Sequence, residues 1–427
     1  MSKRLSVAPS ARRLTTSLRD IGYSFESAVA DIVDNSIAAG ATTIDIQIAF
    51  QGRDSYVIIV DNGNGMDTDR INEAMRFGSR RSYKEQELGR YGLGLKTASL
   101  SQCRRLEVIS KSRNVPLEAR TLDLDFIQNI DSWVTLDHSD EKEVQELFDQ
   151  TGGCAGTIVV WKKLDRLLPA KSPDSGWARR RIEGLGPKLS GYLSMVFHRF
   201  LSGEAYTKVS ICVNGEELEP WDPFARNEPK TQMLDVDEFE VEHGDASGTV
   251  TLKRYLLPQR DEFSSRPAFD KASGIDKWNK QQGLYIYRAD RLVQWGGWSK
   301  IRTIDEHTKL ARASLDFNTR LDDAFNINVA KMRVSLPSQL RKMISRPVNE
   351  LCIAADAAYR RANAKKSSTK DTPDDVPSSF WGSDSGEAIG LALRTAAART
   401  GNFDALEAIS TLLKEEMPDL ARHLGFD

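Results

Sequence analysis

The feature that most constrains this sequence is the order of three short segments within residues 25–101. They are an acidic helix, a glycine-containing turn that follows a short apolar run, and a glycine-rich segment that leads into another helix. In residues 24–39 the apolar side chains recur at steps of three and four, which predicts an amphipathic helix. Asp31, Asp34 and Asn35 are spaced to share one face of it. Oxygen ligands grouped in this way suit a hydrated Mg²⁺ ion, and the alternative is an ordinary solvated helix face.

The second segment is the apolar run YVIIV at residues 56–60, which is followed by DNGNGM at residues 61–66. A short run rich in β-branched residues predicts a buried strand, and the Asn and Gly residues predict a turn at its end. The turn places the carboxylate of Asp61 at the end of the strand, where it can accept a hydrogen bond from an exocyclic amine such as that of adenine. Gly63 and Gly65 allow the backbone to approach a flat ligand, although such a turn is also common without one.

The third segment is GRYGLGLKT at residues 89–97. Glycines before a helix expose backbone N–H groups, and these attract phosphate together with the positive end of the helix. Two other phosphate-binding loops can be tested by their spacing. A P-loop needs adjacent Gly and Lys, but Leu95 separates Gly94 from Lys96, and a dinucleotide-binding loop needs a third glycine that is missing here. Both are therefore excluded.

In this order the three segments resemble the GHKL superfamily, which includes gyrase, the MutL mismatch-repair protein, histidine kinases, the heat-shock chaperone and the microrchidia ATPases. Residues 21–113 carry the core of the resemblance. Two segments are most similar in sequence to the microrchidia-like branch, which has bacterial members. They are GRYGLGLKT at residues 89–97 and GLYIYRADRLVQWGGW at residues 283–298. The resemblance implies a Bergerat fold, which is an α/β sandwich that binds ATP with Mg²⁺.

The resemblance also assigns roles to individual residues. Asp31 takes the position of the general base, Asn35 that of the Mg²⁺ ligand, and Asp34 is expected to contact the ion through water. Residues 325–334 resemble the family's transducer loop. Within this segment, Lys331 is expected to reach the γ-phosphate. The other implied nucleotide contacts are Asp61, Gly63, Gly65, Met66, Gly89, Arg90, Tyr91, Gly92, Leu93, Gly94, Lys96 and Thr157.

The base position departs from the family. It usually holds glutamate four residues before the Mg²⁺-binding asparagine, whereas here it holds Asp31. Aspartate is one methylene shorter, which removes roughly 1.5 Å of reach. General-base catalysis typically contributes a factor of about 10² to 10⁴, so the resemblance with this substitution implies a slow ATPase that still binds ATP.

Charge and composition narrow the other possibilities. The chain has 59 basic and 61 acidic residues, which argues against a uniformly cationic surface for nucleic acid, and basic runs such as residues 179–181 are more typical of solvated surface. The four cysteines and five histidines lack the spacing of metal ligands, so structural zinc is not expected. No run approaches the roughly 20 apolar residues of a membrane span, so the sequence predicts a cytoplasmic protein without a membrane partner.

The pattern of strands and helices predicts an α+β protein. Residues 79–88, which are polar and flanked by glycines, are expected to form a lid over the nucleotide. The predicted parts are a Bergerat-fold ATPase domain at residues 1–170, a transducer-like α+β domain at residues 171–364, a linker at residues 365–385 and a short helical C-terminal tail at residues 386–427.

The function expected from the resemblance is an ATP-gated dimeric clamp or switch, an ATP-dependent homodimer that acts on DNA or with a DNA-processing partner in a restriction or defence system. A histidine kinase is disfavoured because its phosphoacceptor histidine precedes the ATP-binding helix, whereas the first histidine here is His138. A mismatch-repair protein or chaperone would need longer C-terminal domains. The alternative, suggested by Asp31, is a nonhydrolysing ATP-binding scaffold for a partner enzyme.

Overall fold

The computed structural model describes most of the chain. The described residues are 10–20, 22–78, 94–244, 246–327, 334–368, 393–394, 397, 403–424 and 426. The chain divides into two compact units, Met1–Asn363 and Ala364–Asp427, and both β-sheets lie in the first. Several predicted features fall outside the described residues, namely the lid at 79–88, residues 89–93 of the glycine-rich segment, Lys331, and the linker beyond residue 368.

The first sheet has eight strands in the order β5-β4-β3-β6-β2-β1-β7-β8. They are β1 (Thr43–Ala49), β2 (Tyr56–Asp61), β3 (Arg105–Lys111), β4 (Glu118–Asp123), β5 (Leu136–Asp137), β6 (Gly156–Lys162), β7 (Ser210–Val213) and β8 (Glu216–Glu217). Neighbouring strands are antiparallel except β1 and β7, which are parallel. The alternating segment TIDIQIA forms β1 as predicted, and it contributes Ile44 and Ile46 to the core.

Helices lie on both faces of this sheet. They are α1 (Ala11–Leu18), α2 (Phe25–Ala38), α3 (Thr68–Met75), α4 (Gly94–Gln102), α5 (Leu124–Ile130), α6 (Lys142–Asp149), α7 (Gly176–Glu183), α8 (Leu185–Val196) and α9 (His198–Ser202). Val159 and Trp161 of β6 join the main core with α2, α4 and α8, whereas Ile158 and Val160 pack with Phe148 of α6. Because successive side chains of a strand point to opposite faces, the sheet lies between a large and a small helical layer.

The hairpin of β7 and β8 forms as predicted around Asn214 and Gly215, which both have positive φ. It lies at the edge of the first sheet, where β7 pairs with β1. The first sheet therefore draws strands from both sides of the predicted boundary at residue 170. The domain boundaries stay a prediction.

The second sheet has five strands in the order β12-β11-β13-β10-β9. They are β9 (Gln232–His243), β10 (Ala246–Leu256), β11 (Gly283–Arg288), β12 (Arg291–Gln294) and β13 (Ala311–Phe317). Strands β11 and β13 are parallel, and the other pairs are antiparallel. The hairpin predicted within residues 284–298 is confirmed, and its turn residues Ala289 and Asp290 both have positive φ, as a type I′ turn requires.

The second sheet packs against a long helix. The next α-helices along the described chain after β10 are α10 (Arg266–Ala272), α11 (Lys277–Gln281) and α12 (Ser338–Ser368). Along α12 the buried residues recur at steps of three and four, so they form one apolar stripe. That stripe lies in the same core as β11 and β13, and its residues are Leu340, Ile344, Val348, Leu351 and Ala355.

The second unit is helical where it is described. It contains α13 (Phe403–Glu416) and α14 (Pro418–His423), with Ala421 and Phe426 buried and the Arg394 guanidinium 5.4 Å from the Phe426 ring centroid. Across the described ranges, no helix combines the length and the apolar character that crossing a bilayer would require. The predicted α+β class is confirmed.

Candidate functional site

Helix α2 carries the predicted acidic residues. It begins after Ser24, whose hydroxyl accepts a hydrogen bond from the backbone N–H of Ser27 at 3.2 Å. Val29 and Val33 are fully buried in the core, and most of the helix is inaccessible to solvent. A helix that is covered on nearly every side is fixed in rotation and translation by its neighbours. Its polar side chains are therefore held in place by the packing of the fold.

Asp31 is buried, with 2% of its surface exposed. The Tyr23 hydroxyl donates a hydrogen bond to Oδ2 of Asp31 at 2.7 Å. Burial and the nearby carboxylate raise the pKa of Tyr23 well above its usual value, so this hydroxyl stays a donor across the physiological range. A β-carbon added at Gly94, the first residue of α4, would lie 3.5 Å from the same oxygen. The start of α4 therefore lies directly against the Asp31 carboxylate.

Asp34 and Asn35 have different surroundings. Asn35 is exposed, one helical turn after Asp31. Asp34 is completely buried, and both of its carboxylate oxygens lie 2.9 Å from Nε of Arg291, a residue of β12 that is itself only 1% exposed. The structure thus brings Asp31 and Asn35 to one face of α2 and turns Asp34 toward the second sheet. A water-mediated contact of Asp34 with Mg²⁺ stays a prediction.

Asp61 ends β2 as predicted, and 9% of its surface is exposed. One carboxylate oxygen accepts a hydrogen bond from the Ser36 hydroxyl at 2.8 Å, and the other accepts one from the backbone N–H of Gly63 at 2.9 Å. Burial raises the pKa of Asp61 above its usual value, although these hydrogen bonds and one from the Thr157 backbone act in the opposite direction. The carboxylate is therefore fixed between α2 and the turn after β2.

Glycines around this turn are required by contacts within the protein. At Gly65, where φ is +63°, an added β-carbon would lie 1.9 Å from the Lys111 carbonyl oxygen. At Gly156, where φ is +151°, it would lie 2.2 Å from the backbone oxygen of Asp61. At Gly63 it would lie 3.0 Å from the Ala39 carbonyl oxygen. Any side chain at the first two positions would force the turn away from β3 and β6, whatever the glycines contribute to ligand approach.

Ser110 of β3 is a site residue that sequence reasoning missed. Its side chain is fully buried, and its hydroxyl accepts a hydrogen bond from the backbone N–H of Met66 at 2.9 Å. The same hydroxyl donates to the Gly156 carbonyl at 3.0 Å and lies 2.9 Å from the hydroxyl of Thr157. Met66 and Thr157, which were predicted separately, are therefore joined through one serine.

Lys96 lies in the first turns of α4 and is 1% exposed. Its amino group donates a hydrogen bond to the carbonyl of Ala74 in the last turn of α3, at 2.6 Å, and lies 5.9 Å from the centroid of the Phe77 ring. Burial lowers the pKa of Lys96 to about 8, while the nearby Glu73 carboxylate acts in the opposite direction. A phosphate contact for Lys96 stays a prediction, as do the contacts of residues 89–93 and Lys331.

The donor set fits a nucleotide that carries its own metal ion. In the described part of the chain, no group of three or more His, Cys, Asp or Glu side chains is arranged to hold a metal. Mg²⁺ is typically bound through one or two protein oxygens, substrate phosphates and water, and an exposed Asn35 oxygen can supply such a ligand. Asp61, with its two carboxylate oxygens held by Ser36 and Gly63, has the acceptor chemistry for an exocyclic amine.

Part of the chain matches a known protein family. Residues 23–153 match the family model described as histidine kinase-, DNA gyrase B- and HSP90-like ATPase. The chain is also 33% identical over 95 residues to Protein MICRORCHIDIA 5 of Arabidopsis thaliana, a match that covers 21% of this chain and 13% of that protein. The predicted resemblance to GHKL ATPases and to the Bergerat sandwich is confirmed for this segment. The similarity to MICRORCHIDIA 5 supports the microrchidia-like branch.

Proposed function

We propose that this protein, which carries a GHKL ATPase domain at residues 23–153, binds ATP with Mg²⁺ and slowly hydrolyses it to ADP and phosphate. In the proposal, ATP gates a dimeric clamp or switch that acts on DNA or with a DNA-processing partner. The observation that carries the proposal is the pairing on α2 of Asp31, held by Tyr23, with the exposed Asn35 one turn later.

Adenine recognition is assigned to Asp61. Its carboxylate is oriented by hydrogen bonds from the Ser36 hydroxyl and the backbone N–H of Gly63. It is therefore preorganised to accept a hydrogen bond from the adenine amine. Thr157 lies on the neighbouring strand and is positioned through Ser110. This part of the site distinguishes adenine from a base that presents a carbonyl oxygen in place of the amine, because two acceptors would then face each other.

Hydrolysis is assigned to the polar face of α2. Mg²⁺, when bound, neutralises part of the charge on the phosphates. Asn35 presents an oxygen ligand for it, and Asp31 accepts a proton from the attacking water as general base. Tyr23 holds one oxygen of the Asp31 carboxylate, so the orientation of the base is set before ATP arrives.

Closure of the proposed dimer is assigned to the second half of the chain. Lys331 is expected from the resemblance to contact the γ-phosphate, which ATP provides and ADP lacks. A cation that gains this contact only with ATP shifts the equilibrium toward the closed, dimeric state. The DNA-related part of the proposal rests on the resemblance to the microrchidia-like branch, and the runner-up function is the nonhydrolysing scaffold.

Three measurements on the same sample of the 427-residue protein test this proposal. We expect calorimetric binding of ATP with Mg²⁺, slow steady-state release of phosphate, and a shift from monomer toward dimer in analytical ultracentrifugation with a nonhydrolysable ATP analogue. ADP should shift the mass much less, and Lys331→Ala should reduce the shift with the analogue. Binding without turnover or dimerisation would favour the scaffold, and absence of ATP binding would overturn both functions.

Lys96 gives a pH-dependent prediction. Its pKa of about 8 in the nucleotide-free protein means that a large fraction is neutral above pH 8. A phosphate placed beside the amino group favours the charged form, so ATP binding should take up a fraction of a proton at pH 8 to 9 and almost none at pH 6.5. Calorimetry in buffers of different ionisation enthalpy measures this uptake directly.

The control for this prediction is Lys96→Met, whose unbranched side chain is one atom shorter than that of lysine, fills most of the same buried space and carries no charge. The proton uptake at pH 8 to 9 should disappear in this variant. If the uptake persists unchanged, the proton goes to another group. If the wild-type protein takes up no proton, Lys96 stays bound to Ala74 and does not contact phosphate.

A further inference from the structure

The buried ion pair between Asp34 and Arg291 joins the two sheets of the first unit. Asp34 lies on α2, which packs against the first sheet, and Arg291 begins β12 at the edge of the second. Nε of Arg291 lies 2.9 Å from both carboxylate oxygens, and neither side chain is more than 1% exposed. The pair therefore connects the helix that carries Asn35 to a strand 257 positions later in the chain.

Stability alone does not account for this pair. Removing two charges from water has a large desolvation cost, and a buried ion pair is often no more stabilising than two apolar side chains of similar volume. Such a pair does fix the relative position of its two side chains, because the attraction between them weakens steeply when either one moves. Its position beside Asn35 makes that geometric constraint relevant to the proposed ATPase.

Groups from several elements surround Arg291. Burial lowers the pKa of Arg291, but the carboxylate of Asp34, then Tyr192 of α8 and Asp31, raise it, and the net direction is upward. The ring of Phe197, after α8, lies 5.8 Å from the guanidinium. The charge of Arg291 thus faces two of the three acidic residues of α2, Asp31 and Asp34, and also Tyr23, which precedes the helix.

The same short strand has a second connection. Three residues after Arg291, the side-chain oxygen of Gln294 accepts a hydrogen bond from the backbone N–H of Val334 at 3.1 Å. The backbone N–H of Ser335 donates to the Phe325 carbonyl at 2.9 Å. Strand β12 therefore contacts the α2 helix through one residue and the backbone just after residues 328–333 through another.

We propose that Arg291 is a positioning residue for ATP hydrolysis, which acts through Asp34 to hold the turn of α2 that carries Asp31 and Asn35. Hydrolysis then depends on contact between the second sheet and the ATPase domain. This inference rests on the proposed function. It concerns how the α2 turn with Asp31 and Asn35 is held in position, and it assigns Arg291 no contact with ATP.

The test compares Asp34→Asn/Arg291→Met with a matched control. The double variant removes both charges of the pair, so neither Asp34 nor Arg291 is left as a buried charge without its partner, and Asp31 keeps its hydrogen bond from Tyr23. The control is Asp322→Asn/Arg288→Met, which removes a second ion pair that is buried among the described residues, where Nε of Arg288 lies 2.7 Å from Oδ1 of Asp322. Both residues lie in the second half of the chain, and Arg288 is three residues before Arg291.

We expect the Asp34→Asn/Arg291→Met variant to lose at least tenfold in kcat, while KM and calorimetric ATP affinity stay within about threefold. Arg291→Lys, which keeps the charge with Asp34 intact, should recover most of the lost kcat. In the nucleotide-free protein, hydrogen exchange of the α2 amides near Asn35 should become faster in the double variant and should not change in the control.

Three outcomes would overturn the inference: wild-type kcat in the Asp34→Asn/Arg291→Met variant, an equal loss of kcat in the control, or an increased Mg²⁺ requirement that Arg291→Lys does not share. The last would show that Asp34 acts on the metal ion directly. Failure of the wild-type protein to bind or hydrolyse ATP would instead contradict the proposed function. The two failures are therefore distinguishable.

Discussion

Replacing Asp31 with Asn is expected to lower ATP turnover by about 10² to 10⁴ while ATP affinity stays within about threefold. The carboxamide has nearly the same shape and can still accept the hydrogen bond from Tyr23, but it cannot take a proton from water. Charge at this position acts mainly in the transition state, so its removal affects kcat and leaves binding largely intact. Phosphate release measured beside calorimetric affinity separates the two effects.

A matched control lies on the same helix. Glu26 is a partly exposed carboxylate in the first turn of α2, and Glu26→Gln should leave turnover within about twofold. Wild-type turnover in Asp31→Asn would show that the base lies elsewhere.

A second variant, Tyr23→Phe, removes the hydrogen bond that orients the carboxylate and should lower kcat by less than Asp31→Asn does.

The second large effect is expected for Asp61→Asn. The carboxamide nitrogen would place two donors among the Ser36 hydroxyl, the Gly63 N–H and the adenine amine, all of which need an acceptor. A buried polar group left without a suitable partner costs about 1 to 3 kcal/mol, so ATP affinity should fall by roughly 10- to 100-fold. Calorimetric titration with ATP and Mg²⁺ measures the loss.

The control for Asp61 is Asp45→Asn on the neighbouring strand β1, where the carboxylate is exposed. Its ATP affinity should match the wild type. Thermal unfolding of both variants shows whether the first sheet is intact. Unchanged affinity in a folded Asp61→Asn variant would remove the adenine assignment from this residue.

The sequence predicts much of this architecture because local patterns carry it. The apolar residues of α2, the β-branched run of β2 with its turn, and the hairpin of β11 and β12 all form where their patterns indicate. Asp61 is brought to the end of its strand as expected. In each case residues close in sequence determine the structure, through helix periodicity or turn geometry.

The environment of each site residue could not be predicted in the same way. Asp34 and Asn35 are adjacent, and successive residues of a helix differ by about 100° in direction, so a neighbouring element can cover one and leave the other exposed. The covering residue is Arg291, which no local pattern associates with Asp34. Gly65 illustrates the same limit, because its requirement for glycine comes from a carbonyl on β3.

The parallel pairing of β7 with β1 sets the order in which the chain can fold during synthesis. Strands β1 to β6 are complete at Lys162, but the strand that covers the open edge of β1 ends at Val213, about 50 residues later. At roughly 5 to 20 residues per second, the ribosome needs about 3 to 10 s to supply it. During that interval β1 presents an unpaired edge, which is where unwanted pairing between nascent chains begins. The first sheet is thus finished only after helices α7 to α9 have been made.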